Sequence, residues 1–226
     1  MKHYDTIGRI QDDGTLMGEY VYAFNKLDGQ NFCAKFNPKK MVFDTFGSRT
    51  QMVDETSDQF GDAVRYFKSS AIPQTLCDIV KKNKGKGGLF AGIDEITFFF
   101  EWYGENSFAG VHQPGDEMRL ALIDVFLKKK GYIEPKPFIE LFCNNPDIET
   151  PELIYQGTLT KEFINEIWNN DWTNPGCQYP TVKEGVVCRR SSLLKGQRLP
   201  KIKFKTKWWI EKLHSIYTEE ECKKLE

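Results

Sequence analysis

The sequence predicts an α+β fold, and three observations predict it: short aromatic and β-branched runs bounded by turn residues, segments whose apolar residues recur at helical spacing, and ample apolar side chains. The 226 residues are 40% hydrophobic and 14% aromatic, which supplies enough surface for one sizeable core. No internal repeat, low-complexity linker or composition break marks a second domain. The expectation is therefore a single domain over residues 1–226, with central, largely antiparallel sheets flanked by helices.

Residues 19–24 (EYVYAF), 31–36 (NFCAKF) and 40–46 (KMVFDTF) read as consecutive antiparallel strands, a meander. Lys26-Leu27-Asp28-Gly29 then falls at the mouth of a hairpin, where Asp-Gly is a favoured turn because glycine accepts a positive φ. Phe60, Ala63, Val64 and Phe67 share one helical face, and Pro73 opens a second helix carrying Leu76, Ile79 and Val80, so two helices should pack on the sheet. The stretch KNKGKGGLFAG lacks the residue order of a phosphate-binding loop and reads as a connection. ITFFFEWYG (96–104) reads as a buried strand that delivers Glu101 among aromatics, and MRLALIDVFL (118–127) as another, with one acid, Asp124. Phe163, Ile164, Ile167 and Trp168 behind a Thr160 cap read as a helix. VKEGVVCRR (182–190) and KIKFKTKWW (201–209) read as strands, and Thr218-x-x-Glu221 as the capping box of a terminal helix.

A formal net charge of -1 gives no bulk attraction to nucleic acid, so a polyanion site must be a local patch. Two candidates stand out: Lys81, Lys82, Lys84 and Lys86, and then Lys195, Arg198, Lys201, Lys203, Lys205 and Lys207. Six cysteines without a C-x-x-C and three separated histidines suggest neither a zinc site nor a disulfide framework, and fit a reducing, cytoplasmic setting. No apolar leader or membrane-length stretch is present, so no membrane association is expected.

KLDGQNF (26–32), GSRT (47–50), FFEWYG (99–104), KEGVV (183–187) and KIKFK (201–205) stand in a fixed order. Taken together they resemble the covalent nucleotidyltransferases, the superfamily of polynucleotide ligases and mRNA capping enzymes with an ATP-grasp-like ligase domain. Lys-x-x-Gly-x-Asn-Phe, with Asn31 and Phe32, is most similar to the RNA ligases of the T-even phage second-ligase and RNA-editing type. The resemblance implies that Lys26 is the nucleophile that takes AMP from ATP, that Arg49 contacts phosphate or ribose, and that Glu101 is the third-motif acid. Glu184 matches the fourth-motif acid, and Lys203 and Lys205 the lysine pair of the fifth. Where the family has an aromatic that stacks on adenine, this chain has Ile123 before Asp124, so Asp124 is read as a strand acid.

The chemistry accounts for such a grouping. A lysine attacking the α-phosphorus of ATP must be neutral, yet at an unperturbed pKa near 10.4 only about one in two thousand is so at pH 7. Nearby cations lower that pKa, and Lys203, Lys205 and a bound Mg²⁺ (or Mn²⁺) are the available ones. The metal needs hard oxygen ligands, for which Asp28 and Glu184 are the candidates, while Glu101 would serve a ribose hydroxyl. Gly29 lets the backbone close under the nucleotide. The implied function is ATP-dependent joining of RNA 5′-phosphate and 3′-hydroxyl ends through lysyl-AMP. The alternatives are a capping-type guanylyltransferase and a non-catalytic nucleotide- or RNA-binding module. DNA ligases and capping enzymes continue past the fifth motif into an oligonucleotide-binding (OB-fold) barrel. Too few residues follow Lys205 for one, so no C-terminal OB-fold is expected and a separate RNA-binding partner is a further expectation.

Overall fold

The computed structural model of the chain describes residues 2–11, 14–105, 107, 109–192 and 200–225; Lys195 and Arg198 of the second basic stretch lie outside them. In chain order the strands are β1 (Gly8–Arg9), β2 (Tyr20–Lys26), β3 (Gly29–Asn37), β4 (Val42–Ser48), β5 (Met52–Val53), β6 (Ile96–Tyr103), β7 (Arg119–Leu127), β8 (Gly131–Tyr132), β9 (Leu153–Thr158), β10 (Gly185–Arg190) and β11 (Lys201–Lys205). The helices are α1 (Gly61–Ser69), α2 (Ile72–Asn83), α3 (Pro135–Phe138, continued by a π-helical turn to Cys143), α4 (Lys161–Trp168), α5 (Lys207–Ile216) and α6 (Glu219–Leu225). The fold is α+β, with a six-stranded sheet in the order β5-β4-β3-β6-β7-β8 and a five-stranded sheet in the order β1-β11-β10-β2-β9. No described helix is long and apolar enough to cross a membrane.

The chain folds as two compact units. Gln30–Trp102 and Met118–Thr150, with the N-terminal residues to Asp5, make one; Thr6–Gly29, Tyr103–Glu117 and the chain from Pro151 make the other. The first unit is built on aromatics. The run Ile96–Phe100 is fully buried on both faces of its sheet, which is why it reads as continuous rather than alternating. Phe98 and Phe100 meet the rings of Phe32, Phe36, Phe43, Phe67 and Phe142, while Phe99 meets Tyr4 and Tyr132. Asp124 is fully buried on β7, where it accepts hydrogen bonds from the Tyr4 hydroxyl at 3.3 Å and the Val125 N–H at 3.0 Å.

The second unit holds the five-stranded sheet, and every other residue of its central strands enters one core. Val21 and Ala23 of β2, Val186 and Cys188 of β10, and Ile202 and Phe204 of β11 pack with Phe163 and Ile167 of α4 in one core. The period of two therefore turns Lys26, Lys203 and Lys205 to the opposite face. Trp168, which the helical pattern put on the apolar face of α4, is 38% exposed.

Three expectations are corrected. Of the opening strands, β3 and β4 pair antiparallel as expected, but β2 is not their neighbour: it lies between β10 and β9, so Lys26–Gly29 is a crossover from one sheet to the other rather than a hairpin. Gly29 opens β3 as extended strand backbone, not as a left-handed turn residue. The run 201–209 is not one strand: it ends at Lys205, and Thr206 caps α5 by accepting the Trp209 N–H at 3.1 Å. A threonine hydroxyl that satisfies a free helix N–H stops the strand there.

Candidate active site

Strand register explains the site. Gly185 of β10 stands opposite Lys26 of β2 on one side and opposite Lys205 of β11 on the other, so the three occupy one row across three strands. The central member has no side chain, and the backbone of β11 fills the place where one would stand. A Cβ there would lie 2.2 Å from the Phe204 carbonyl oxygen and 2.6 Å from the Lys205 Cα, and Gly185 sits at φ 157°. The strands approach this closely only with glycine at that position.

Glu184, one residue before the row, supplies the anion. Its Oε1 lies 2.8 Å from Lys26 Nζ and 3.2 Å from Lys205 Nζ, and its side chain is 3% exposed. Two ammonium groups thus share one carboxylate oxygen, so the charge on each disfavours the charge on the other. Burial pushes the Lys205 pKa down to about 7, with the charges of Lys26 and Lys203 acting in the same direction and Glu184 opposing them. Lys203 is half-buried two residues along β11, in register with Val187 and with Arg9 of β1. Since β11 lies between β1 and β10, its lysines are not the charges of an edge strand.

Asp28 follows on the crossover and is 3% exposed. Its Oδ2 accepts hydrogen bonds from the Ala109 N–H at 3.2 Å and from the Trp209 indole N–H at 3.3 Å. Burial raises its pKa above the usual carboxylate value, the negative charge of Glu184 adds to this, and the two donors and Lys26 oppose it. The same Trp209 ring faces Lys205, whose Nζ lies 3.4 Å from the ring centroid. The structure therefore brings together Lys26, Asp28, Glu184 and Lys205, with Lys203 beside them.

Asn31, Arg49 and Glu101 belong to the other unit. Asn31 donates from Nδ2 to the Phe100 carbonyl at 3.3 Å, and its Oδ1 is buried without a hydrogen-bond partner among the described residues. Arg49 is exposed just past β4, and Glu101 is half-buried on β6. Trp209 and Gly185 had not been singled out from the sequence. The readable signals were the threonine cap before the second tryptophan and a glycine inside a strand run, which marks close backbone approach.

Among the described residues no three acids, histidines or cysteines form a ready-made metal cage. Glu184 Oε2 is nevertheless buried with no hydrogen-bond partner among the described residues, and Asp28 is close enough for the two charges to repel. A buried acceptor left over on one carboxylate beside a second fits a divalent cation that keeps several waters and takes its remaining oxygens from a phosphate substrate.

No protein-family model matches the chain, and no curated protein matches it in sequence. Solved structures do, and the fold is one shared with an RNA ligase and a putative ATP-dependent DNA ligase. An RNA ligase of Naegleria gruberi, solved as a lysine variant with ATP and manganese, superposes with a TM-score of 0.61 at 15% identity, over 95% of this chain and 58% of that one. The same ligase with pyrophosphate gives a TM-score of 0.57 at 16% identity, over 95% and 58%. A putative ATP-dependent DNA ligase from Aquifex aeolicus gives 0.55 at 17% identity, over 93% and 51%. The chain thus spans just over half the length of these structures.

Proposed function

We propose that this chain is the nucleotidyltransferase module of an ATP-dependent RNA ligase that works through lysyl-AMP. The observation that carries the reading is the pairing of Lys26 and Lys205 on one buried oxygen of Glu184. A binding module needs cations for phosphate but no amine held beside a second cation that disfavours its charge; a covalent nucleotidyltransferase needs both. In the first step Lys26 Nζ attacks the α-phosphorus of ATP, the bond to pyrophosphate breaks, and the amine proton is lost as the N–P bond forms. Lys205 and Lys203 are the charges that would stabilise the crowded phosphate oxygens. AMP then passes to an RNA 5′-phosphate, and a 3′-hydroxyl displaces it.

Asp28 and Glu184 are the residues that would hold Mg²⁺ or Mn²⁺, which when bound neutralises phosphate charge. Arg49 and Glu101 are proposed for phosphate or ribose. RNA rather than DNA as substrate is supported by the Asn31-Phe32 form of the first motif, the form that resembles RNA ligases. Residues 1–226 would act as one catalytic module in the cytoplasm, with RNA engagement completed by a separate partner or segment.

The test is intact-mass analysis after incubation with ATP and Mg²⁺ or Mn²⁺. The expected product carries one AMP on Lys26, through a bond that survives alkali and breaks in acid. Label on another residue, or none with either metal, would sink the proposal. GTP labelling in place of ATP would instead mark a guanylyltransferase.

A further inference from the structure

We infer that Trp209 is a positioning residue of this site, fixing Asp28 with the edge of its indole and Lys205 with its face. The inference rests on the reading of Lys26 as the nucleophile. Asp28 comes from the β2–β3 crossover and Lys205 from the end of β11, and Trp209 touches both: Nε1–H to Asp28 Oδ2 at 3.3 Å, ring centroid to Lys205 Nζ at 3.4 Å. The ring itself has little freedom. It is 1% exposed in a cluster with Ala109, Val111, Leu213 and Cys222, and its backbone N–H is held by the Thr206 hydroxyl. An indole has only two side-chain torsions, so a packed one is a rigid support with a polar edge and an electron-rich face.

The consequences are local. Lys205 Nζ is confined between the Glu184 carboxylate and the ring, and Asp28 takes one of its two described donors from the same ring. Without the N–H, Asp28 keeps, among the described residues, the Ala109 donor alone and is free to turn. Trp209 contacts neither nucleotide nor metal in this scheme; it acts through the two groups that do.

Replacing Trp209 by 3-benzothienyl-L-alanine keeps the bicyclic outline and the ring face and deletes the donor; Trp209→Phe deletes the donor with a smaller ring. The measurement is the single-turnover rate constant of self-adenylation against ATP concentration, with the labelled fraction at the end point. Both variants should lower the rate constant at saturating ATP about tenfold, the loss expected for a hydrogen bond to a charged group. KM for ATP should stay within about threefold and the end point should not change. An unchanged rate constant in the benzothienyl variant, or a fall in the end point alone, would mean that Trp209 only supports the fold. A wild-type protein that takes no label would overturn the function and, with it, any positioning role.

Discussion

At the scale of single residues, Gly185 and Lys205 can be set against each other. Gly185 is a geometric necessity: any Cβ enters the backbone of β11, so Gly185→Ala should lower stability by about 1–3 kcal/mol, the range of strained backbone and overpacked sites. It should also depress adenylation, because it moves the strand that carries Lys205. Urea unfolding and labelling of the folded fraction check the two halves, and a variant as stable as wild type would refute the first. Lys205 is a buried cation whose pKa has fallen to about 7 from 10.5. Between those values the unfolded chain holds a proton that the folded one does not, so this group makes stability rise with pH through that window and withdraws that gain as pH falls toward 7. The melting temperature of the ligand-free protein should therefore climb from pH 7 to pH 9 more steeply than that of Lys205→Met; parallel curves would contradict it. For catalysis, Lys205→Ala and Lys203→Ala should each slow adenylation about a hundredfold, as for a preorganised charge contact, while Lys81→Ala and Lys86→Ala leave it unchanged. Equal effects from all four would mean a diffuse patch.

At the scale of elements, α5 links fold to site. Thr206 is fully buried; it receives the Trp209 N–H, donates its hydroxyl to the Lys183 carbonyl at 2.8 Å, and its own N–H bonds the Glu184 carbonyl at 2.9 Å. Thr206→Ala should lower stability by about 1–2 kcal/mol, as lost helix caps do. It should also reduce adenylation several-fold by loosening Trp209. Chemical denaturation with single-turnover labelling tests this, and lower stability with an unchanged rate would leave α5 a purely structural role. Element type was largely legible because it is local: the Thr160 cap holds the Phe163 N–H, Thr218 and Glu221 bond each other across the capping box, and the apolar residues of α1 and α2 are buried at helical spacing. Partnership was not legible. Nothing in EYVYAF says that its strand pairs with residues more than a hundred positions away, so proximity in sequence suggested a meander and a hairpin. KIKFKTKWW is a strand as far as Lys205, and only its end differs, because the capping threonine at 206 opens α5. The site residues were legible only through the order of their motifs; the row Lys26–Gly185–Lys205 follows from register, which the sequence does not display.

At the scale of the whole molecule, the decisive quantity is charge, because the two halves of the proposed reaction depend on it differently. Adenylation uses ATP, a divalent cation and the residues gathered around Glu184, several of them buried and little screened by salt. Sealing requires an RNA backbone to be held, and a chain of net charge -1 offers only local cations for that, such as the exposed Lys81, Lys82, Lys84 and Lys86 at the end of α2 and just beyond it. Phosphate contacts release counterions, so affinity for a single strand falls with the logarithm of salt by about 0.7 per contact, and about three contacts predict a loss near twentyfold between 50 and 200 mM. The expected outcome is that pre-adenylated protein seals RNA ends weakly and loses activity steeply over that range, while self-adenylation changes by less than about threefold. Rates of both steps on the same preparation, across a salt series, make the comparison. Tight sealing that ignores salt would show that this chain grips RNA through contacts other than phosphate charge, and DNA ends sealed as well as RNA ends would remove the case for an RNA ligase while leaving the lysyl-AMP chemistry intact.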